Sequence, residues 1–494
     1  MRYRRVVSVL AAGVVCTFFV VATAGAGIYT ASAPVLASGP SPFANCTVGG
    51  LSTSVNYPNS EVEPFVAVNP TDSSNVIGVF QQDRWNDGGA HGIVAAVTHD
   101  GGTTWTETWP HFSTCAGGTA ANGGNYDRSS DPWVTFAPNG DAYFISLSAS
   151  ADLLNSAVLV SKSTDGGDTW SEPTTLVRDT SAFNFNDKES ITADPTDPKA
   201  QTVYAVWDRS RKPGENANFN QLRSFAFRGP ATLSRTTDGG ATWSAPRNIM
   251  PTNANVFTVG NQIAVLPDGT LVDVFEAGKG SGIQPSPNPF TESVLRSTDE
   301  GLTWSRVIDI STDQSVLVRD PDTGAPLRTG AGLPDVAVDP NNGTIYVVWS
   351  DSRFSGGLRD DVAFSKSTDG GLTWSAPIKV NQTPVPVAAF TPSVDVASDA
   401  TVAVSYYDFR YNTPAPGALV DAFLAHSHDG GAAWSETRVT PDSFDIEQAP
   451  VARGYFIGDY EGLTSAGSTF MPFFSEAVTM PANPADAFFS TVGP

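Results

Sequence analysis

One eight-residue pattern, Ser/Thr-x-Asp-x-Gly-x-Thr-Trp, recurs six times along the 494 residues of this chain. Its aspartates are Asp100, Asp165, Asp238, Asp299, Asp369 and Asp429, spaced 60 to 73 residues apart. Its tryptophans are Trp105, Trp170, Trp243, Trp304, Trp374 and Trp434; Ala433 replaces the threonine of the last copy. Such recurrence marks an array of like supersecondary units. The residue types suit a tight hairpin. The aspartate can accept bonds from backbone N–H groups ahead of it, the glycines allow positive φ, and the tryptophan offers apolar area for packing beside the next unit. Turn chemistry explains these aspartates fully, so they are read as structural and not as catalytic.

Each hairpin sits inside a longer unit. Residues 334–379 show it best: Pro334-Asp-Val-Ala-Val-Asp-Pro, then Thr344-Ile-Tyr-Val-Val-Trp, then Asp361-Val-Ala-Phe-Ser-Lys-Ser, the hairpin, and Ala376-Pro-Ile-Lys-Val. These are four short β runs, a to d, with the hairpin joining c to d. The order repeats at 64–110, 131–177, 189–249, 262–309 and 392–439. Four-stranded antiparallel units in series predict an all-β chain folded as a β-propeller. Helical periodicity is absent. A seventh unit is expected from Gly454-Tyr-Phe-Ile-Gly-Asp-Tyr, Thr469-Phe-Met-Pro-Phe-Phe and Asp486-Ala-Phe-Phe-Ser-Thr-Val, which match runs a, b and c. Leu51-Ser-Thr-Ser-Val-Asn-Tyr stands where the missing d run belongs, so the two ends can complete one blade and remove exposed edges. Six blades with differently buried ends are the alternative.

The first residues read as an export signal. Three arginines within Met1 to Arg5 precede an apolar run and small residues at 22–26. This assigns 1–30 to a secretory signal, with an uncleaved membrane anchor facing outside as the alternative. Residues 31–46, rich in Ala, Ser, Pro and Gly, read as a flexible linker, leaving 47–494 as one domain. Export makes a Cys46–Cys115 bridge chemically allowed, with two free thiols as the alternative. Acids outnumber bases 51 to 28, and the net charge of −23 argues against nucleic acid and anionic membranes as partners. The five histidines show no zinc spacing.

The hairpin pattern resembles the Asp-box, or bacterial neuraminidase repeat, of the sialidase superfamily, most fully at Ser163–Trp170 and Ser367–Trp374. The resemblance covers about 51–494 and implies an exported, monomeric propeller acting on extracellular carbohydrate, as a glycoside hydrolase or polysaccharide lyase. Non-catalytic glycan- or protein-binding propellers share the repeat and form the alternative. Sialidases carry Phe/Tyr-Arg-Ile-Pro on the first a strand, whose arginine holds the substrate carboxylate. Here the stretch is Glu61-Val62-Glu63-Pro64, with Val62 at the arginine position, and this argues against true sialidase activity.

In such a strand order the d-to-a and b-to-c connections share the face away from the hairpins, so a site is expected at starts of a and ends of b. Glu63, Asp131 and Glu189 are the candidate catalytic carboxylates, since paired acids can cleave glycosidic bonds. Arg84, Asp208, Arg209, Asp351, Arg353, Asp408, Arg410, Asp459 and Glu461 are the candidate substrate-binding groups, with a ring of structural Asp–Arg pairs as the competing reading. Trp85, Trp133, Trp207, Trp349, Tyr406 and Tyr407 lie near these positions, and half or more should simply pack between blades. Insertions at 211–230 and 277–292 fall on the same face. No cofactor is indicated; the acidic loop 125–131 offers oxygen ligands of the kind Ca²⁺ takes.

Overall fold

A computed structural model describes residues 28–181, 183–211, 228–251, 256–279, 290–480 and 482–494. The expected signal lies almost wholly outside the described residues, as do most of both insertions. The chain is all-β. Among the described residues the only helical segments are single 3-10 turns at Arg353–Ser355 and Ile446–Gln448, and no helix is long and apolar enough to cross a membrane.

Unit five shows the plan. Asp335–Val338, Ile345–Asp351, Asp361–Ser367 and Ile378–Lys379 pair antiparallel in that order. Strands b and c are apolar on both faces because each unit is covered on both sides; Val347 and Trp349 meet unit four, whereas Tyr346 and Val348 meet unit six. The other a strands of hairpin-bearing units are Asn56–Asn69, Arg128–Phe136, Asn184–Ala193, Val256–Val265 and Ala389–Val396. The last group, unit seven, comprises Gly462–Ala466, Thr469–Met480 and Asn483–Phe489, again antiparallel. Residues from all seven first strands line one cavity of about 490 Å³.

The hairpins fold as their residue types dictate. In the fifth, Asp369 accepts from the backbone N–H of Thr373 at 2.9 Å, from its hydroxyl at 2.6 Å and from the Ser367 hydroxyl at 2.8 Å. These bonds hold its carboxyl down at about 2. The same bonds recur at Asp100, Asp165, Asp238 and Asp299, and at Asp429 without the hydroxyl that Ala433 lacks. The tryptophans pack on the preceding unit, not on the next as expected. Trp434 meets Phe364 of unit five at 5.2 Å, and Trp105 of unit one meets Phe489 of unit seven at 5.1 Å. Gly102 (φ 92°) permits that approach: a Cβ there would lie 2.1 Å from the Phe489 ring.

The amino-terminal stretch corrects two expectations. Residues 31–46 are not a free linker. Thr30–Ala31 pairs with Val492–Gly493, and Val35–Leu36 pairs with Asn483–Phe489. Val35–Leu36, not 51–57, therefore supplies the fourth strand of unit seven. Ala37 and Phe43 are buried with Phe473 and Phe489, whereas Leu51 and Val55 are exposed; burial decides between the two segments. Tyr29 stacks on His426 at 3.9 Å. Cys46 and Cys115 are bridged, with Cα atoms 5.6 Å apart, tying this strap to the connection after unit one.

Candidate functional site

Strand a carries one irregularity in five units. Its register against strand b shifts between Val62 and Phe65, Ser130 and Trp133, Asp187 and Ser190, Val259 and Gln262, and Phe390 and Ser393. At each shift one residue is left-handed: Glu63 (φ 55°), Asp131 (φ 51°), Lys188 (φ 48°), Gly260 (φ 71°) and Thr391 (φ 52°). A bulge of this kind re-aims a side chain. A non-glycine residue held there stores about 1–3 kcal/mol of strain, of the sort that collects at functional sites. Pro64, Pro132 and Pro392 follow directly in three units and disfavour the right-handed helical alternative.

In units one to three the re-aimed residues are ionisable, and they meet. Lys188 Nζ lies 3.1 Å from Glu63 Oε1, 3.3 Å from Asp459 Oδ2 and 3.7 Å from Asp131 Oδ1. It also sits 4.7 Å from the centre of the Tyr460 ring. Asp459 and Tyr460 arrive on the segment that leads into unit seven. Arg328 grips Asp459 from the other side, its Nε donating at 2.9 Å and its Nη2 also bonding the carboxylate. Arg328 comes from the long connection 313–334, whose Leu327–Arg328 pairs in parallel with Tyr455–Phe456. Gly330 of that connection lies against the Asp459 carbonyl oxygen, 2.0 Å from where a Cβ would stand. The guanidinium carbons of Arg84 and Arg328 lie 4.8 and 4.4 Å from the centre of the Phe456 ring. Arg84 donates to Gln81 at 2.5 Å, and Gln81 in turn donates to Glu63 and, at 3.1 Å, to the Ser130 hydroxyl.

Burial pushes the Glu63 carboxyl up to about 7 against the pull of Lys188, and it raises Asp131 as well. Burial would also raise Asp459, but Arg328 and Lys188 outweigh it and hold that carboxyl well below the usual range. For Lys188 burial favours the neutral amine; Glu63, Asp459 and Asp131 reverse this and keep it charged. Near neutrality the cluster thus joins a carboxyl able to give a proton to one firmly ionised. Oxygens of Glu63 and Asp131 that each lie within 3.7 Å of one nitrogen are no more than about 7 Å apart, so the two carboxyls can act on one bond; glycosidase pairs span roughly 5–9.5 Å.

Asp131, Lys188 and Asp459 line a pocket with Trp133, Tyr460 and Leu333. Glu189 and Glu461 border it too, from seams between units. The remaining candidates lie elsewhere. Arg209 pairs with Asp179 at 2.7 Å, and Asp208 accepts from Thr258 at 2.8 Å and the Gly260 N–H at 3.0 Å. Arg353 pairs with Asp351, and Arg410 with Asp408 and Glu436. These arginines are already engaged with carboxylates of the fold, Arg353 and Arg410 with their own strand-end aspartates and Arg209 with Asp179 in place of Asp208. Asp83 serves His91, Ser41 and Asn59, not Arg84. Trp207, Trp349, Tyr406 and Tyr407 are core residues, whereas Trp133 stacks on Phe65 at 3.6 Å and reaches the pocket. In the loop 125–131, Arg128 bonds Asp87 and Asp131 turns to Lys188. Among the described residues no three His, Cys, Asp or Glu are grouped to hold a metal ion. Sequence reasoning did not single out Arg328, Arg453 or the central place of Lys188; the unusual length of 313–334 was the available signal.

The family described as "BNR repeat-like domain" matches residues 158–403. A xyloglucanase of Paenibacillus sp. is 25% identical over 210 residues, covering 39% of this chain and 16% of that protein. A sialidase of Micromonospora viridifaciens is 36% identical over 126 residues, covering 23% of this chain and 18% of that protein. The chain thus spans less than a fifth of either relative's length. Among solved structures, an alpha-L-arabinanase of Penicillium chrysogenum aligns over 93% of this chain and 98% of its own, at 12% identity and a TM-score of 0.46. With its repeated hairpins, the BNR repeat-like match and the sialidase relative, the chain belongs to the sialidase, or BNR-repeat, superfamily.

Proposed function

We propose that this protein is an exported, carbohydrate-active β-propeller of seven blades that cleaves glycosidic bonds at the mouth formed by its first strands. Ring closure is supported by the packing of Trp105 on Phe489 and by the shared lining of the axial cavity. Export is supported by the basic-then-apolar start of the sequence and by the disulfide. The observation that carries the reading is the convergence of Glu63, Asp131 and Lys188 from equivalent bulges of three consecutive units.

In this reading the neutral Glu63 carboxyl gives its proton to the glycosidic oxygen as the bond to the anomeric carbon breaks. Asp131 works from the opposite side as base or nucleophile, and its charge stabilises the cationic sugar of the transition state. Asp459, held by Arg328, anchors Lys188 and so fixes the distance between the pair. Sialic acid is a poor fit, since Val62 stands where the family's arginine belongs.

Reducing-sugar release from a panel of polysaccharides tests the assignment. Glu63→Gln should lower turnover by about 10²–10⁴-fold. If nothing is cleaved while glycan binding persists, and Glu63→Gln leaves that binding intact, the protein is a non-catalytic glycan-binding propeller. One observation favours that second reading: Lys188 already sits among the carboxylates and neutralises them.

A further inference from the structure

We propose that the seams between the units are built around carboxylic acids kept neutral, and that the protein is adapted to be most stable in acidic surroundings. Strands b and c bring apolar residues into every seam, yet most seams also bury an acid with no cation against it.

Between units three and four, Asp273 sits on the strand face that carries Leu271, Phe275 and Ala277 into the core with Tyr204, Leu233 and Ile263. It is fully buried, and neither carboxyl oxygen has a hydrogen-bond partner. The charged group facing it is another acid, Asp208. Between units four and five, Glu292 is equally buried and equally without a partner. It stands directly across the sheet from Glu276 and near Asp313 and Asp351; Arg353, the cation on that side, is already spent on Asp351. Between units two and three, Glu189 faces Asp131 and Asp187. Between units six and seven, Glu461 lies beside Ser405 and Tyr407 and faces Asp335. Between units seven and one, Glu61 meets Gln82 on one oxygen and faces Asp486 and Glu107.

An ionised carboxylate in such a place loses its water and gains no cation, so the neutral acid is the stable form. Burial accordingly raises all five, Glu461 to about 8. The sign of the linkage follows. The folded chain holds protons that the unfolded chain gives up above its ordinary carboxyl pKa, near 4. What these acids contribute to stability is greatest below that value and falls as pH rises toward the folded pKa.

Thermal unfolding of the full chain, followed by tryptophan fluorescence between pH 4.5 and 8.5 at constant salt, tests this. The midpoint should fall by roughly 5–10 °C from pH 5 to pH 8, and unfolding at pH 7 should release protons. The acidic chain also repels itself more as pH rises, and isosteric variants separate the two effects. Asp273→Asn and Glu292→Gln should each raise the midpoint at pH 8 and leave it unchanged at pH 5. Asp442→Asn, which removes one exposed charge, should leave the midpoint nearly unchanged at both pH values. A midpoint equal or higher at pH 8, or isosteric variants that behave like Asp442→Asn, would overturn the proposal.

Discussion

Replacing Lys188 by methionine keeps most of the length of the side chain and removes its charge, and it is the sharpest probe of the carboxylate cluster. The wild-type ammonium is about 12% exposed and lies within 3.7 Å of three carboxylates that are 0–7% exposed. A contact of this kind is worth about 5 kcal/mol at an effective dielectric of 20, before relaxation. Breaking one partner out of a buried ion pair costs about 3–5 kcal/mol in practice. Glu63 already ionises only near 7, and Asp131 is raised in the same direction. Without the lysine both should protonate more readily, and protonation relieves the repulsion. The cost of Lys188→Met is therefore pH-dependent: about 3–5 kcal/mol at pH 8 and less than half of that at pH 5. In a chain of this size that corresponds to a midpoint lower by roughly 3–5 °C at pH 8. Adding Glu63→Gln removes one of the two unopposed charges and should restore part of the loss. Equal costs at both pH values, or a larger cost at pH 5, would show that the three acids do not depend on this cation.

If Glu63 is the proton donor, kcat/KM should decline above about pH 7, where that carboxyl ionises, and a pH–rate profile reads this directly. Reducing the Cys46–Cys115 bridge reopens a separation of 69 residues and should cost about 2–4 kcal/mol, seen as a lower urea midpoint in the presence of dithiothreitol; an unchanged midpoint would contradict it. The hairpin aspartates have depressed carboxyl pKa values, about 2 at Asp100, Asp238, Asp299 and Asp369. Their contribution is thus complete above about pH 4 and lost as pH falls through about 2, so a second drop in stability is expected at the acid extreme. Asp369→Ala should lower the thermal midpoint without altering glycan turnover, since its partners are all local.

The architecture was legible because its signals are local. A hairpin that must place an aspartate, a glycine and a tryptophan within eight residues leaves the same trace each time. Strand order likewise fixes which connections share an end, and the meeting of Glu63, Asp131 and Lys188 lies at starts of strand a. The N-terminal strap was not. Residues 31–46 and 51–57 compete for the open edge of unit seven, and the Ala-, Ser- and Pro-rich composition of 31–46 points to a linker and not to a strand. Only tertiary burial of Ala37 and Phe43 separates them. The arginines were misjudged through a related limit. Asp–Arg at the end of strand b looks alike in four units, yet Arg84 turns to Gln81 and the Phe456 ring while Arg353 and Arg410 turn back on their own aspartates.

The cluster itself shows why composition speaks to the surface and not to the site. The net charge of −23 is a sum over the whole chain, exposed and buried acids alike. Inside the mouth, Lys188, Arg84 and Arg328 act on Asp459, and Arg453 lies among Arg328, Asp459, Asp187 and Glu63. Four of the chain's few bases are gathered where the carboxylates converge. They come from strand b of unit one, strand a of unit three and the two long connections before units five and seven. No window of sequence holds more than one of these elements. What brings them together is a backbone feature, the left-handed bulge, which turns Glu63, Asp131 and Lys188 toward one another and is written in the sequence only as an acidic residue before proline in two of the three units. The local balance of charge at the cluster follows from that geometry, and the net charge of the chain does not report it.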